Sequence, residues 1–252
     1  MVSLQKICFL IPIVAVVFSC QHHESYVRQP QLDREIINDL ITREAEISSI
    51  KTRAWIKIHS PEGEFSFDCI YAAESPSMFR IELLKPFGMV AVSVATDGDR
   101  LYIINYNDNL CFDGALNRKN IKAFLPFEVD PHILTSIILT KIPYLDSSAI
   151  NGVNKTDSEI EFLYAPNITD TGIIRISDIP ERSISGDLDG MTFEYKKFYN
   201  ARGTIYPTVV NLKHGSVSIE MKLEDTVFNS EEKDAEFFLR IPGNCKKIPE
   251  RN

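Results

Sequence analysis

Apolar residues along the 252-residue chain follow three successive spacings, and each predicts a different kind of element. Ile7 to Phe18 is a run of about twelve largely apolar residues, shorter than the roughly 20 that a membrane-spanning helix takes. From Leu32 to Ile50 the apolar positions 32, 36, 37, 40, 41, 47 and 50 make one stripe on a helix. Asp33, Arg34, Asp39, Arg43, Glu44 and Glu46 lie largely off that stripe. From Lys51 onward the period becomes two. Ala54, Ile56 and Ile58 alternate with Arg53, Trp55 and Lys57, and a Ser60-Pro61-Glu62-Gly63 turn follows. Phe65, Phe67, Cys69 and Tyr71 then alternate with Ser66, Asp68 and Ile70. Further strands are predicted over 78–84, 89–96, 100–105 and 110–113, joined by tight turns at Asp97-Gly98-Asp99 and Asn107-Asp108-Asn109. Helical signals interrupt between Asn117 and Leu139. Asp130-Pro131 reads as an N-cap with proline in the first turn, Ile133, Leu134, Ile137 and Ile138 mark one face, and Pro143 ends the helix. Strands resume at 158–165, 171–177, 191–199, 204–213 and 216–224, and a short run over Ala235 to Ile241 precedes a polar tail. About eleven strands in meander order with three helical pieces predict a mainly β fold. The expectation is a single antiparallel curved sheet or unclosed barrel with helices packed at its mouth.

The first twenty residues bear on where such a domain would sit. Lys6, the apolar run and the closing Val17-Phe18-Ser19-Cys20 have the layout of a secretory signal. A cysteine directly after a small residue resembles the bacterial lipobox. An ordinary signal peptide that contains a cysteine, or an N-terminal anchor helix, are the alternatives. The lipobox resemblance implies that residues 1–19 are removed and that Cys20 carries acyl chains. Each buried methylene adds about 0.8 kcal/mol, so several chains hold the protein on a membrane without spanning it. Gln21, rather than Asp, follows the cysteine, which by the same resemblance implies the outer membrane, on its periplasmic face. Residues 20–31 are then a lipidated cysteine with a polar tether, 32–245 the domain, and 246–252 a polar tail.

Charge and cysteine usage narrow the function. The net charge is −8, and −9 once Lys6 leaves with the signal, a poor match for nucleic acid or for broad adsorption on anionic lipid. Membrane contact should therefore be local. Beyond Cys20 only Cys69, Cys111 and Cys245 remain, which allows one disulfide at most and contains no C-x-x-C pair. No H-E-x-x-H, G-x-S-x-G, Walker A or G-x-G-x-x-G stretch occurs. His59, His132 and His214 stand apart from any cysteine or second histidine, and Asp187-Leu188-Asp189-Gly190 reads as a β-turn rather than a calcium loop. We expect no cofactor, no metal, no catalysis and a monomer.

One turn departs from the usual chemistry. Leu83-Leu84-Lys85-Pro86-Phe87-Gly88-Met89-Val90 joins two strands through a proline–glycine turn with a large aromatic at its tip. Turn tips are normally polar, and covering a phenylalanine is worth roughly 1.5–3 kcal/mol. Either the domain itself covers Phe87, or an outside surface does.

From Ser49 to about Leu145 the chain resembles the outer-membrane lipoprotein receptor family LolB. The carrying motifs, in order, are Ile50-Lys51-Thr52-Arg53-Ala54, a second aromatic strand, and Phe79-Arg80-Ile81-Glu82-Leu83. Pro86-Phe87-Gly88 then stands where that family has Pro-Leu-Gly, followed by the Asp97-Gly98-Asp99 turn, Leu101-Tyr102-Ile103 and Leu125 to Pro143. Residues 146–252 share only the general strand pattern, and Ser183 to Gly190 departs from the compact form. The resemblance implies an unclosed barrel with a helical lid that takes acylated lipoproteins from the periplasmic carrier LolA and releases them into the outer membrane. It also implies that the loop Pro86, Phe87 and Gly88 meets the bilayer. Phe65, Phe67, Cys69, Tyr71, Ile81, Leu83, Val92 and Val94 become candidates for an acyl-chain cavity. A structural or protein-binding envelope lipoprotein with a packed barrel is the alternative, and a secreted hydrolase ranks third.

Overall fold

The period-two alternation produces strands with one buried face. In β1 (Ser49–Ser60) the side chains of Ile50, Thr52, Ala54 and Ile56 are buried, while Lys51 and Arg53 are exposed. The structure, a computed structural model, describes residues 38, 41–42, 44–145, 150–156, 159–164, 172–177, 181–201, 203–230 and 237–250. The predicted signal, Cys20 and the tether lie outside them.

β2 (Gly63–Glu74), β3 (Met78–Leu84), β4 (Val90–Asp97), β5 (Arg100–Asn105) and β6 (Leu110–Ala115) follow as an antiparallel meander. Two short helices come next, α1 (Arg118–Ile121) and α2 (Pro131–Ile138). A second meander then runs through β7 (Ile150–Lys155), β8 (Glu159–Tyr164), β9 (Gly172–Ser177), β10 (Ser183–Leu188), β11 (Met191–Ala201), β12 (Thr204–His214) and β13 (Val217–Phe228). β14 (Lys246–Lys247) closes the chain order. All fourteen strands belong to one curved, unclosed sheet, in the order β14-β6-β5-β4-β3-β2-β1-β13-β12-β11-β10-β9-β8-β7. The two meanders meet where β1 pairs with β13, and Asn229 stitches that seam at its end: its Oδ1 accepts from the Ser48 N–H (2.9 Å), and its Nδ2 donates to the Glu46 carbonyl.

The expected architecture is present, with fourteen strands among the described residues instead of about eleven. The additional ones are β7, β10 and β14. The predicted helix over Leu32–Ile50 is too long at its C-terminal end. Helical conformation is described as far as Glu46, and Ile50 is a strand residue paired with both Ala73 and Phe228. Helix α2 starts as its sequence dictates: the Asp130 carboxylate accepts from the His132 N–H (2.8 Å), and Pro131 occupies the first turn.

The described part of the connection after β6, residues 116–145, packs on the inner face of the sheet. Ile121, Ile133, Ile137, Leu139 and Ile142 are buried there in one cluster with Phe79, Leu101, Phe112, Phe193 and Val210 from the strands. This helical connection substitutes for the missing wall of the barrel. It is pinned at its far end, where the Ile142 N–H donates to the Glu44 carboxylate (2.9 Å) and the Tyr195 hydroxyl donates to the Lys141 carbonyl (2.6 Å). Arg118 of α1 is ion-paired with Asp189 in the β10–β11 turn.

Among the described C-terminal residues, 237–241 form no strand. Leu239 and Ile241 pack on the outer face of the sheet against Ala95 and Ile104. Cys245 is bridged to Cys111 in β6, 134 residues away in sequence. Closing so large a loop stabilises the fold by about 5 kcal/mol in a chain-entropy account. Lys246 and Lys247 then pair in parallel with Leu110 and Cys111, the one parallel ladder in the described sheet.

Candidate functional site

Where the helical connection crosses the sheet, the two layers do not fully close. A cavity of about 340 Å³, partly open to solvent, lies between them. Its sheet side is formed by inward positions at regular strand spacing, among them Ile81 and Leu83 of β3 and Val92 and Val94 of β4. These four are cross-strand partners, Ile81 with Val94 and Leu83 with Val92. Its roof is the apolar face of α2, with Leu134, Ile137 and Ile138. Among the lining residues only Asn105 is polar. Its Oδ1 accepts from the Asn107 N–H (2.9 Å) and its Nδ2 donates to Asp108 (2.9 Å), so the side chain serves the β5–β6 turn. An engineered apolar cavity of about 150 Å³ holds one benzene, so this one has room for roughly a dozen carbon atoms.

Ile81, Leu83, Val92 and Val94 are the sequence candidates that line the cavity. The four candidates on β2 do not. Cys69 and Tyr71 are on the predicted inner face, in register with cavity-lining Leu83 and Ile81, but are packed into the core at 1% and 3% exposure. Burial pushes the Cys69 thiol up to about 12, so it stays protonated and unreactive, and burial likewise drives the Tyr71 phenol upward. Phe67 and Phe65 are cross-strand partners of cavity-lining Ile56 and Ile58 but do not line the cavity themselves. Phe65 lies two residues from the β1–β2 turn and is 43% exposed.

The other part of the candidate site is the β3–β4 turn. Pro86, Phe87 and Gly88 form a single 3₁₀ turn closed by the Gly88 N–H donating to the Lys85 carbonyl (3.1 Å), beneath which the Lys85 N–H donates to the Met89 carbonyl (2.7 Å). Phe87 is 99% exposed, and its backbone has φ +72°. The domain does not cover it. Both features cost free energy: an apolar ring in water, and a left-handed conformation that a side chain with a Cβ adopts at about 1–2 kcal/mol. Met89 (60% exposed) continues the apolar surface, and Tyr106 (50%) extends it from the neighbouring β5–β6 turn, where its N–H donates to the Ala91 carbonyl (2.9 Å). Both turns are at the end of the sheet to which the cavity extends, since Leu83, Val92, Asn105 and Leu110 border them.

Sequence reasoning missed the roof residues as lining, although it found the face of α2 that supplies them. It also missed Ile248, which reaches the cavity from the C-terminal segment and carries no periodic signal. Among the described residues there is no group of three or more metal-ligating side chains, and no helix long and apolar enough to cross a membrane.

No protein-family model matches the sequence, and no curated protein matches it. The fold is matched by solved structures. A DUF1329 family protein from Desulfovibrio piger is 9% identical, with a TM-score of 0.55 over 81% of this chain and 96% of that one. The LolA superfamily protein NE2245 from Nitrosomonas europaea is 11% identical, with a TM-score of 0.51 over 77% of this chain and 94% of that one. At such identities the likeness is one of fold, and the narrower resemblance to LolB rests on the order of its sequence motifs. The protein has a LolA-like fold, a single unclosed sheet wrapped around a helical connection.

Proposed function

We propose that this protein is a non-enzymatic acyl-chain carrier of the bacterial envelope, lipid-anchored through Cys20 at the periplasmic face of the outer membrane, where it assists insertion of lipoproteins or lipids. The supporting observation is the apolar cavity of about 340 Å³ that extends to the end of the sheet where Phe87 is 99% exposed. Acyl chains are recognised by apolar area alone, and the cavity offers little else. The work required is transfer between two apolar environments, the cavity and the bilayer. A nearly balanced exchange lets cargo enter and leave without chemistry. The cargo would be passed from a LolA-like carrier or arrive as free lipid. In the rival reading, a packed barrel that only holds or binds proteins, a void of this size with one polar lining residue has no role.

Titration with a fluorescent fatty acid or a synthetic acylated peptide tests the reading. Saturable binding near one chain per domain is expected, and a full titration without binding leaves the structural role. The anchor has its own test. Cys20→Ala is expected to move the protein from the membrane to the soluble periplasmic fraction and to abolish palmitate incorporation, and continued labelling of that variant would count against Cys20 as the acceptor.

A further inference from the structure

The C-terminal segment is bonded to β6 at one end of the sheet order, next to Leu110 of the cavity lining. Its ladder with β6 is only two residues long. Around that ladder the Lys246 N–H donates to the Asn109 carbonyl (2.9 Å) and the Ile248 N–H to the Cys111 carbonyl (2.7 Å). The Glu250 carboxylate accepts from the Ala115 N–H (2.7 Å) and from Asn120 Nδ2 (3.3 Å). So short a ladder is marginal by itself. What makes it persistent is the Cys111–Cys245 bridge directly before it, with Leu239 and Ile241 seated on the outer face upstream. The result is that one side chain, Ile248, is carried around the open edge of the sheet and into the cavity lining beside Leu110.

We propose that Ile248, latched by the Cys111–Cys245 bridge, is a specificity element that sets the length of acyl chain the cavity admits and slows its escape through the open edge. The inference rests on the acyl-carrier reading and specifies its ligand as a single chain of limited length. A rigid wall supplied by β6 alone would leave the edge open beside Leu110. A side chain mounted on a bridged strap closes that gap at a fixed position and truncates the void there.

The experiment is displacement of a bound fluorescent fatty acid by saturated fatty acids of increasing length, with stopped-flow measurement of release. Ile248→Trp is expected to shift the preferred length downward and weaken the longest acids about tenfold, the loss of about two methylene contacts. Ile248→Ala, which removes atoms and so threatens the fold least, is expected to shift the preference upward. Cys245→Ser is expected to lower the melting temperature, through loss of the bridge, and, measured well below that lowered transition, to release bound acid faster than wild type. If wild type binds fatty acids and neither Ile248 variant moves the preferred length in folded protein, this inference is overturned and the carrier reading stands. If wild type binds none, the carrier reading falls first.

Discussion

Replacing Leu83 with tryptophan is expected to weaken fatty-acid binding roughly fiftyfold while the sheet remains folded. Leu83 is flanked in register by Cys69 of β2 and Val92 of β4, and it is only partly buried because its inner side borders the cavity. An indole there grows into space that no protein atom occupies, so the overpacking cost of about 1–3 kcal/mol for a filled core is largely avoided. The ligand loses that space instead. Displacing about three methylenes at about 0.8 kcal/mol each removes about 2.4 kcal/mol of binding, which is a factor near fifty in Kd. Ile70, on the opposite face of β2 and 38% exposed, supplies the control, since Ile70→Trp leaves the cavity untouched and should bind normally. The measurement is a fluorescence titration beside a thermal melt. Full affinity in a folded Leu83→Trp protein would place the acyl chain somewhere else.

The sheet was legible in the sequence wherever strands have one wet and one dry face, because burial on one side writes period two into the residues. β1 to β6 and β11 to β13 are legible as strands by that rule, and in β1 to β4 the alternation also marks the inner face. The strands that escaped have physical reasons for doing so. β7 is an edge strand, Ile150-Asn151-Gly152-Val153-Asn154-Lys155, whose polar residues dilute the alternation. β10 contains Gly186, which reads as a breaker. In the structure it is a packing necessity, because a Cβ there would sit 2.6 Å from the buried Phe193 ring. β14 is two lysines held by a neighbouring bridge and by backbone bonds, and nothing in a Lys-Lys pair announces a ladder. The site was legible to a lesser degree. Strand parity gave the inward positions, but parity cannot say how far along a strand the roof extends. Cys69, Tyr71 and Phe65 share that parity, yet Cys69 and Tyr71 are packed in the core and Phe65 is 43% exposed outside the lining. Ile248 required knowing where the chain ends in space, which is a tertiary fact.

Phe87→Glu is expected to leave acyl-chain binding unchanged and to slow delivery of cargo into membranes between about tenfold and a hundredfold. Binding is spared because Phe87 does not line the cavity, and folding is spared because a side chain that is 99% exposed has no intramolecular contacts to lose. Delivery suffers because inserting the ring into a bilayer returns the roughly 1.5–3 kcal/mol that its exposure costs in solution, and a carboxylate returns none of it. The left-handed backbone at Phe87 argues in the same direction. A strained conformation that presents an aromatic to solvent persists only where the strands around it enforce it, and here the Lys85–Met89 pair does so (2.7 Å). The cavity extends toward the end of the sheet that carries this turn, so in the carrier reading contact through Phe87 brings that end to the lipid surface and shortens the aqueous gap a hydrocarbon chain would otherwise cross. Crossing that gap exposes each methylene at about 0.8 kcal/mol, so even a few of them outweigh the gain from the ring itself. The assay is transfer of a fluorescent acylated peptide from protein to vesicles. Phe87→Leu is expected to keep most of the wild-type rate, since it retains an apolar tip. Equal rates for wild type and Phe87→Glu would mean that cargo leaves by another route, and the exposed ring would then need a different partner.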